Sequence, residues 1–88
     1  MSGFLGQVPE DVEALGADFD AKATDVETLI QAINGRFSST HWVGSDRDNF
    51  EATWTGEMTN NLNHLAQALR ETGTIARNNA SQQRSASA

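Results

Sequence analysis

The side chains of this sequence that could perform chemistry are its histidines and its acids. His41 and His64 are 23 residues apart, so they do not form the i, i+4 pair that binds zinc on one helix face, and no third ligand accompanies them. The chain contains no cysteine, which excludes a disulfide framework, a thiol nucleophile and a cysteine-ligated zinc site. The sequence therefore predicts surface histidines and no metal.

The acids of the first half of the chain are the remaining candidates for catalysis. Asp18, Asp20, Asp25 and Glu27 are close enough in sequence to suggest an acid–base pair. Such a pair works when two carboxylates face one substrate in a cleft, whereas these lie on a helix that exposes them to solvent. No glycine-rich loop follows a strand, and no Ser-His-Asp arrangement is present. We expect no enzyme activity, no cofactor and no small-molecule substrate.

The large apolar residues of the first half recur in steps of three and four, which predicts a helix over about residues 9–39. Pro9 suits the first helical position, where its missing N–H would have no partner in any case. Glu10 and Asp11 follow, and acids in a first turn complement the helix dipole. The stripe consists of Val8, Val12, Leu15, Phe19, Val26, Leu29, Ile30, Ile33 and Phe37.

A second helix is predicted over about residues 45–78, after a turn at 40–44. Ser45 is expected to cap this helix, with Asp48 in the acid position of a capping box. Gly73 is expected to fray or kink the helix near its end. The second apolar stripe contains Phe50, Trp54, Met58, Leu62, Leu65 and Leu69.

Two amphipathic helices in one short chain predict an all-α fold, an antiparallel helical hairpin over residues 8–78. Residues 1–7 are expected to be a flexible N-terminus, and residues 79–88, which lack a large apolar side chain, a disordered tail. One layer of two helices leaves each stripe half covered, so we expect a second hairpin to complete a four-helix-bundle dimer. Its core would contain Phe19, Val26, Ile33, Phe50, Trp54, Met58, Leu62, Leu65 and Leu69.

The charge of the chain limits its partners and orients the hairpin. Twelve acids and six bases give a net charge of −6, which argues against binding to nucleic acid or to anionic membranes. The seven acids and one lysine of residues 1–34 would lie beside the three arginines and one acid of residues 61–88. An antiparallel hairpin is weakly favoured by this attraction. We expect no membrane span, because no long apolar run is present, and no Sec-type signal in the first residues, which lack a basic segment and a long apolar segment.

The stretch Trp42-Val43-Gly44 resembles the Trp-x-Gly turn of the WXG-100 family, the small Esx-like proteins of type VII secretion systems. Phe50 follows Gly44 by six residues and Trp54 follows by four more, and the family has aromatics at both places. The resemblance covers residues 8–78. A second Trp-x-Gly, which begins at Trp54, lies within the second helix and is interpreted as accidental.

The resemblance implies a protein that acts by association, as an exported dimer or as the partner or chaperone of a co-secreted protein. It implies pairing with itself or with a related Trp-x-Gly protein, recognition by the type VII secretion ATPase, and secretion from the cytoplasm. Gly44 is expected to adopt a positive φ. Trp42 either seals the open end of the hairpin core or forms part of a surface recognised with the partner's tail.

The tail of the sequence departs from the family pattern. Many members, or their partners, end with a Tyr-x-x-x-Asp/Glu signal, but this chain has no tyrosine and no acid after Glu71. Gln82 and Ala86 stand where the two signal residues would be expected. Either a partner supplies the signal, or the chain uses another cue, or it is not exported. The alternative function is that of a cytosolic helical-bundle adaptor that is not secreted.

Overall fold

The computed structural model describes residues 6–87, which form two long helices that lie antiparallel to each other. The first helix, α1, spans Pro9–Ser39. The second is continuous and consists of α2 (Ser45–Ala52), a π-helical segment (Thr53–Met58) and α3 (Thr59–Ser87). The described residues contain no strand. The predicted all-α hairpin is confirmed, and its dimensions are 66 × 18 × 14 Å.

Local hydrogen bonds and Pro9 define the two ends of α1. Val8 is extended, with φ −100° and ψ 115°, and Pro9 is the first helical residue. The N–H of Asp11 donates to the carbonyl of Val8 at 3.0 Å, so the preceding residue closes the first turn. At the other end, the hydroxyls of Ser39 and Thr40 donate to the carbonyl of Arg36 at 3.0 and 2.6 Å. These bonds satisfy a carbonyl that has no N–H partner further along the helix.

The turn between the helices depends on Gly44. Its φ is +117° and its ψ is −177°, a conformation that residues with a Cβ rarely adopt, so the expected positive φ is confirmed. The prediction that Ser45 caps α2 is wrong, because Ser45 is already the first helical residue and no side chain caps the helix. The N–H of Asp48 instead donates to the carbonyl of Gly44 at 3.2 Å.

Small residues line the contact between α1 and α3. Buried Gly16 and Ala23 are seven residues apart on α1, and buried Ala66, Gly73 and Ala80 repeat at the same interval on α3. A Cβ added to Gly73 would lie 2.8 Å from the backbone carbonyl oxygen of Gly16, and one added to Gly16 would lie 2.9 Å from that of Gly73. The two backbones touch here, so Gly73 makes a packing contact in mid-helix and does not fray the helix end.

The π-helical segment changes which side of the second helix is turned toward α1. The least exposed residues step by five from Trp54 to Thr59, whereas an α-helix steps by three or four. The N–H of Thr59 donates to the carbonyl of Trp54, the i to i−5 bond of a π-helix. This extra residue allows Trp54 to be buried, and its indole N–H donates to Oδ1 of Asn34 on α1 at 2.6 Å. The second Trp-x-Gly therefore lies at the start of this segment.

The end of the second helix differs from the sequence prediction. Instead of ending near residue 78, α3 continues to Ser87, and the described part of the predicted tail is helical. Ala80 is fully buried, and Arg84 contacts Glu13 and Glu10 of α1 at 2.7 and 3.8 Å. Contact with the first turns of α1 stabilises the segment although it carries no large apolar residue. Of the predicted N-terminus, residues 1–5 lie outside the described part, and residues 6–7 are not helical.

Candidate interaction surface

Three ion pairs bridge α1 and α3 along one flank of the hairpin. Arg70 binds Glu27 with two bonds of 2.6 and 2.8 Å, a bidentate geometry that fixes both side chains. Arg77 binds Asp20, and Arg84 binds Glu13 at 2.7 Å. The arginines are seven residues apart on α3, and the acids are seven residues apart on α1. Because the helices are antiparallel, the residue numbers of the acids fall as those of the arginines rise. The predicted attraction between the acidic and basic ends of the chain is confirmed.

Arg84 and Arg70 hold the pKa of Glu13 and Glu27 below the ordinary range. The hydrogen bond from Arg84, and then its charge, lowers the pKa of Glu13. The hydrogen bond from Arg70 lowers the pKa of Glu27, although partial desolvation of that carboxyl opposes the shift. The same bonds raise the pKa of the two guanidinium groups. Both carboxyls are therefore charged more readily in the folded hairpin than in the unfolded chain.

Acid is expected to destabilise the hairpin through these two carboxyls. Because their pKa is lower in the folded state, they stabilise it above the unfolded value of about 4.5, and this contribution is lost as the pH falls through the folded pKa. We expect the thermal midpoint, followed by circular dichroism, to fall between about pH 7 and pH 3. The double variant Glu13→Gln/Glu27→Gln should show a smaller fall. Glu57→Gln, which removes an exposed carboxylate without an ion pair in the described residues, should keep the wild-type fall.

The opposite flank exposes large apolar side chains from both helices, and we name it the apolar face. Six of these side chains are 38–51% exposed although the hairpin is folded. Most are separated by seven residues or a multiple of seven, which places them in rows along the helices. They are Val8, Leu15, Leu29 and Ile33 on the α1 side, and Met58 and Leu65 on the second helix. Half-buried Phe19, Val26, Leu62 and Leu69 lie between these rows and the helix contact.

A shallow depression on the apolar face shows that the two helices present it jointly. Its volume is about 210 Å³, and Leu15, Phe19 and Leu69 line it, with Asp18 and Lys22 at its edge. Leu69 comes from α3 and the other four residues from α1. The depression is therefore a surface feature that exists only when the hairpin has formed.

An aromatic cluster occupies the turn end of the hairpin. The ring of Trp42 lies 5.3 Å from that of Phe50 and 6.5 Å, edge-on, from that of Phe37. The guanidinium of Arg47 stacks over Phe37 at 4.8 Å and also binds Glu51 at 2.6 Å. Trp42 packs within this cluster, and 37% of it is exposed beside a cleft of about 270 Å³.

The residues predicted to form a dimer core divide into three groups in the single chain. Trp54 is buried within the hairpin itself. Phe19, Val26, Leu62 and Leu69 are half-buried. Ile33, Phe50, Met58 and Leu65 are exposed, and with the exception of Phe50, which belongs to the aromatic cluster, they lie on the apolar face.

The described residues offer little else that could do chemistry. His41 and His64 are both exposed, at the turn and on α3. Within residues 6–87, no group of three or more His, Cys, Asp or Glu residues is arranged to hold a metal ion. In the same range, no helix combines the length and apolar character needed to cross a lipid bilayer.

Comparison of the chain with protein-family models, with curated proteins and with solved structures found no match in any of the three.

Sequence reasoning missed the small residues that bring the helices together. Glycine and alanine carry little transfer free energy, so a search for large apolar residues passes over them. A usable signal was nevertheless present, because Gly16 and Ala23 on α1, and Ala66, Gly73 and Ala80 on α3, share a seven-residue interval. The arginines of α3 and the acids that they bind share the same interval.

Proposed function

We propose that this protein acts by protein–protein association, and that its apolar face packs against a second helical hairpin to form a four-helix bundle. The observation that carries the proposal is the difference between the two flanks. Three ion pairs bridge one flank, beside a depression that exposed Ile75 helps to line, whereas the other flank leaves six large apolar side chains at least 38% exposed. Contiguous apolar patches of this kind on a small protein mark sites of association.

The size of the apolar face suits a stable interface. Helix α1 has 31 residues and is therefore about 46 Å long, and the hairpin is 18 Å wide. A face of these dimensions covers roughly 800 Å², which is about what each partner of a standard stable complex buries. Covering it would also enclose the half-buried leucines and valine that the single hairpin leaves partly in water.

We propose further that the association serves type VII secretion, with the chain exported as a dimer or acting as the partner or chaperone of a co-secreted protein. The support is the Trp42-Val43-Gly44 turn at the middle of a helical hairpin, with Phe50 beside Trp42 in the aromatic cluster. The exposed edge of Trp42 gives the secretion ATPase a side chain to contact. Because no tyrosine is present in the chain, a partner supplies the tail signal in this proposal.

A cytosolic helical-bundle adaptor is the alternative. It is favoured by the end of α3, where Gln82 and Ala86 occupy the expected signal positions within a helix. Secretion into the culture medium of the native host distinguishes the two functions. Export that stops when the type VII ATPase is inactivated supports the first, and retention of the chain in the cytoplasm of both strains supports the second.

Association is tested by Leu65→Asp. Leu65 is 47% exposed, so a carboxylate there leaves the hairpin contacts in place but puts an unpaired charge in the proposed interface. We expect this variant to remain monomeric in light scattering under conditions in which the wild-type chain associates with itself or with a partner. The control is Asn78→Asp, on an exposed position of α3 away from the apolar face. Equal association of both variants would refute the proposed interface.

A further inference from the structure

We propose that the partner on the apolar face is a different chain, a helix or helical hairpin whose apolar stripe is bordered by lysine or arginine every seven residues. This inference rests on the proposed function, because it specifies what the apolar face binds. It is carried by the charges along the edge of that face and by the way in which this chain uses its own bases.

A row of three aspartates borders the apolar face along α1. Asp11, Asp18 and Asp25 are exposed and seven residues apart. Asp18 follows Leu15 by three residues and lines the same depression as Leu15 and Leu69. Residues three and four apart are neighbours on a helix surface, so the row continues along the α1 edge of the face. A partner that covers the face therefore has its own edge next to these carboxylates.

Two of the three aspartates of the row are not neutralised within the described chain. Each arginine of α3 is engaged with an acid of the opposite flank, and Arg47 binds Glu51. Lys22 binds Asp25 at 3.4 Å, although both side chains are about two-thirds exposed or more. Neither Asp11 nor Asp18 forms an ion pair within residues 6–87. Three of the six bases thus bridge the other flank, and Arg36, which forms no ion pair within residues 6–87, lies at the turn end of α1, eleven residues beyond Asp25.

A second copy of the chain supplies the missing charge only in part, through Lys22 and Arg36 of its own α1. If α1 of the copy lay over α1, the two aspartate rows would face each other, which opposes association. If the second helix of the copy lay over α1, its corresponding edge would present neutral residues. These are Asn61, Ala68 and Gln82, at the α3 positions that the seven-residue interval makes equivalent to those of the aspartates on α1. A partner with basic residues at this interval matches both the apolar face and its edge.

The test uses two synthetic helical peptides with identical apolar stripes, one with lysine and one with glutamate at the positions that flank the stripe. Binding to the full chain is measured by fluorescence anisotropy at low salt. We expect the lysine peptide to bind about tenfold more tightly, which three exposed ion pairs together can supply. The preference should fall in 1 M salt, because screening weakens exposed pairs.

The position of the charges is tested by two variants of equal net charge. Asp11→Asn/Asp18→Asn/Asp25→Asn should reduce the preference for lysine to less than about threefold. Asp46→Asn/Glu57→Gln/Glu71→Gln removes three acids elsewhere on the hairpin and should keep it. An equal reduction in both variants would show that the peptide senses only net charge, and the inference would then be wrong.

Self-association of the wild-type chain separates this inference from the proposed function. A tight homodimer that excludes the lysine peptide would make a second copy the occupant, which overturns the inference and leaves the proposed association standing. A wild-type chain that neither self-associates nor binds either peptide would overturn both.

Discussion

Replacing Trp54 with alanine is expected to lower the free energy of unfolding by about 3–5 kcal/mol, the usual cost of truncating a buried tryptophan. Trp54 is the large aromatic that the hairpin buries on its own, and its indole N–H binds Asn34 of α1 at 2.6 Å. The substitution removes both the packing of the indole ring and the hydrogen bond between the π-helical segment and α1. Urea unfolding at fixed protein concentration, followed by circular dichroism, measures the effect.

Two further variants separate the contributions of packing and of the hydrogen bond to the destabilisation by Trp54→Ala. Trp54→Phe keeps a buried ring but loses the bond to Asn34, whose exposed amide can bind water instead, so we expect a loss of about 1 kcal/mol. Trp42→Ala changes the same residue type at a position that is 37% exposed. It should cost less than Trp54→Ala. If Trp42→Ala proved the more damaging variant, the turn end would be the main core of the hairpin.

Replacing Gly73 with leucine is expected to destabilise the hairpin by about 3 kcal/mol, near the upper end of what overpacking usually costs. A Cβ at this position would lie 2.8 Å from the Gly16 carbonyl oxygen and 3.3 Å from the Cβ of Phe19. The first of these atoms is backbone, so the helices must move apart to admit any side chain. The arginine pairs that depend on their separation would be disturbed as well.

Gly56→Leu is the matched control, because nothing lies within 4 Å of the position of its Cβ. Leucine favours a helix over glycine by roughly 0.5–1 kcal/mol, so this variant should be more stable than the wild type. Opposite signs for the same substitution at two glycines of one helix would establish the close backbone contact. A stabilised Gly73→Leu variant would mean that α1 and α3 are not held at this distance.

The positions of the helices could be predicted because their signals are local. Steps of three and four among the apolar residues, Pro9 at a helix start and Gly44 before the second helix each act within a few residues along the chain. The observed bounds of α1, Pro9–Ser39, and the start of α2 at Ser45 agree with those predictions. The end of α3 was missed because a distant segment, the first turns of α1, stabilises it.

The sequence by itself determined that the chain forms two amphipathic helices joined at a turn that needs glycine. Periodicity sets the angles between side chains within one helix, but it does not say which row faces the other helix. That choice was made by the tertiary structure. It placed Gly16 against Gly73. It also paired Arg70, Arg77 and Arg84 with acids of α1 along one flank, and it left Leu65 and the rest of the apolar face exposed. The reason is that small residues allow the backbones to touch, and this contact fixes the register in which all other pairs must meet.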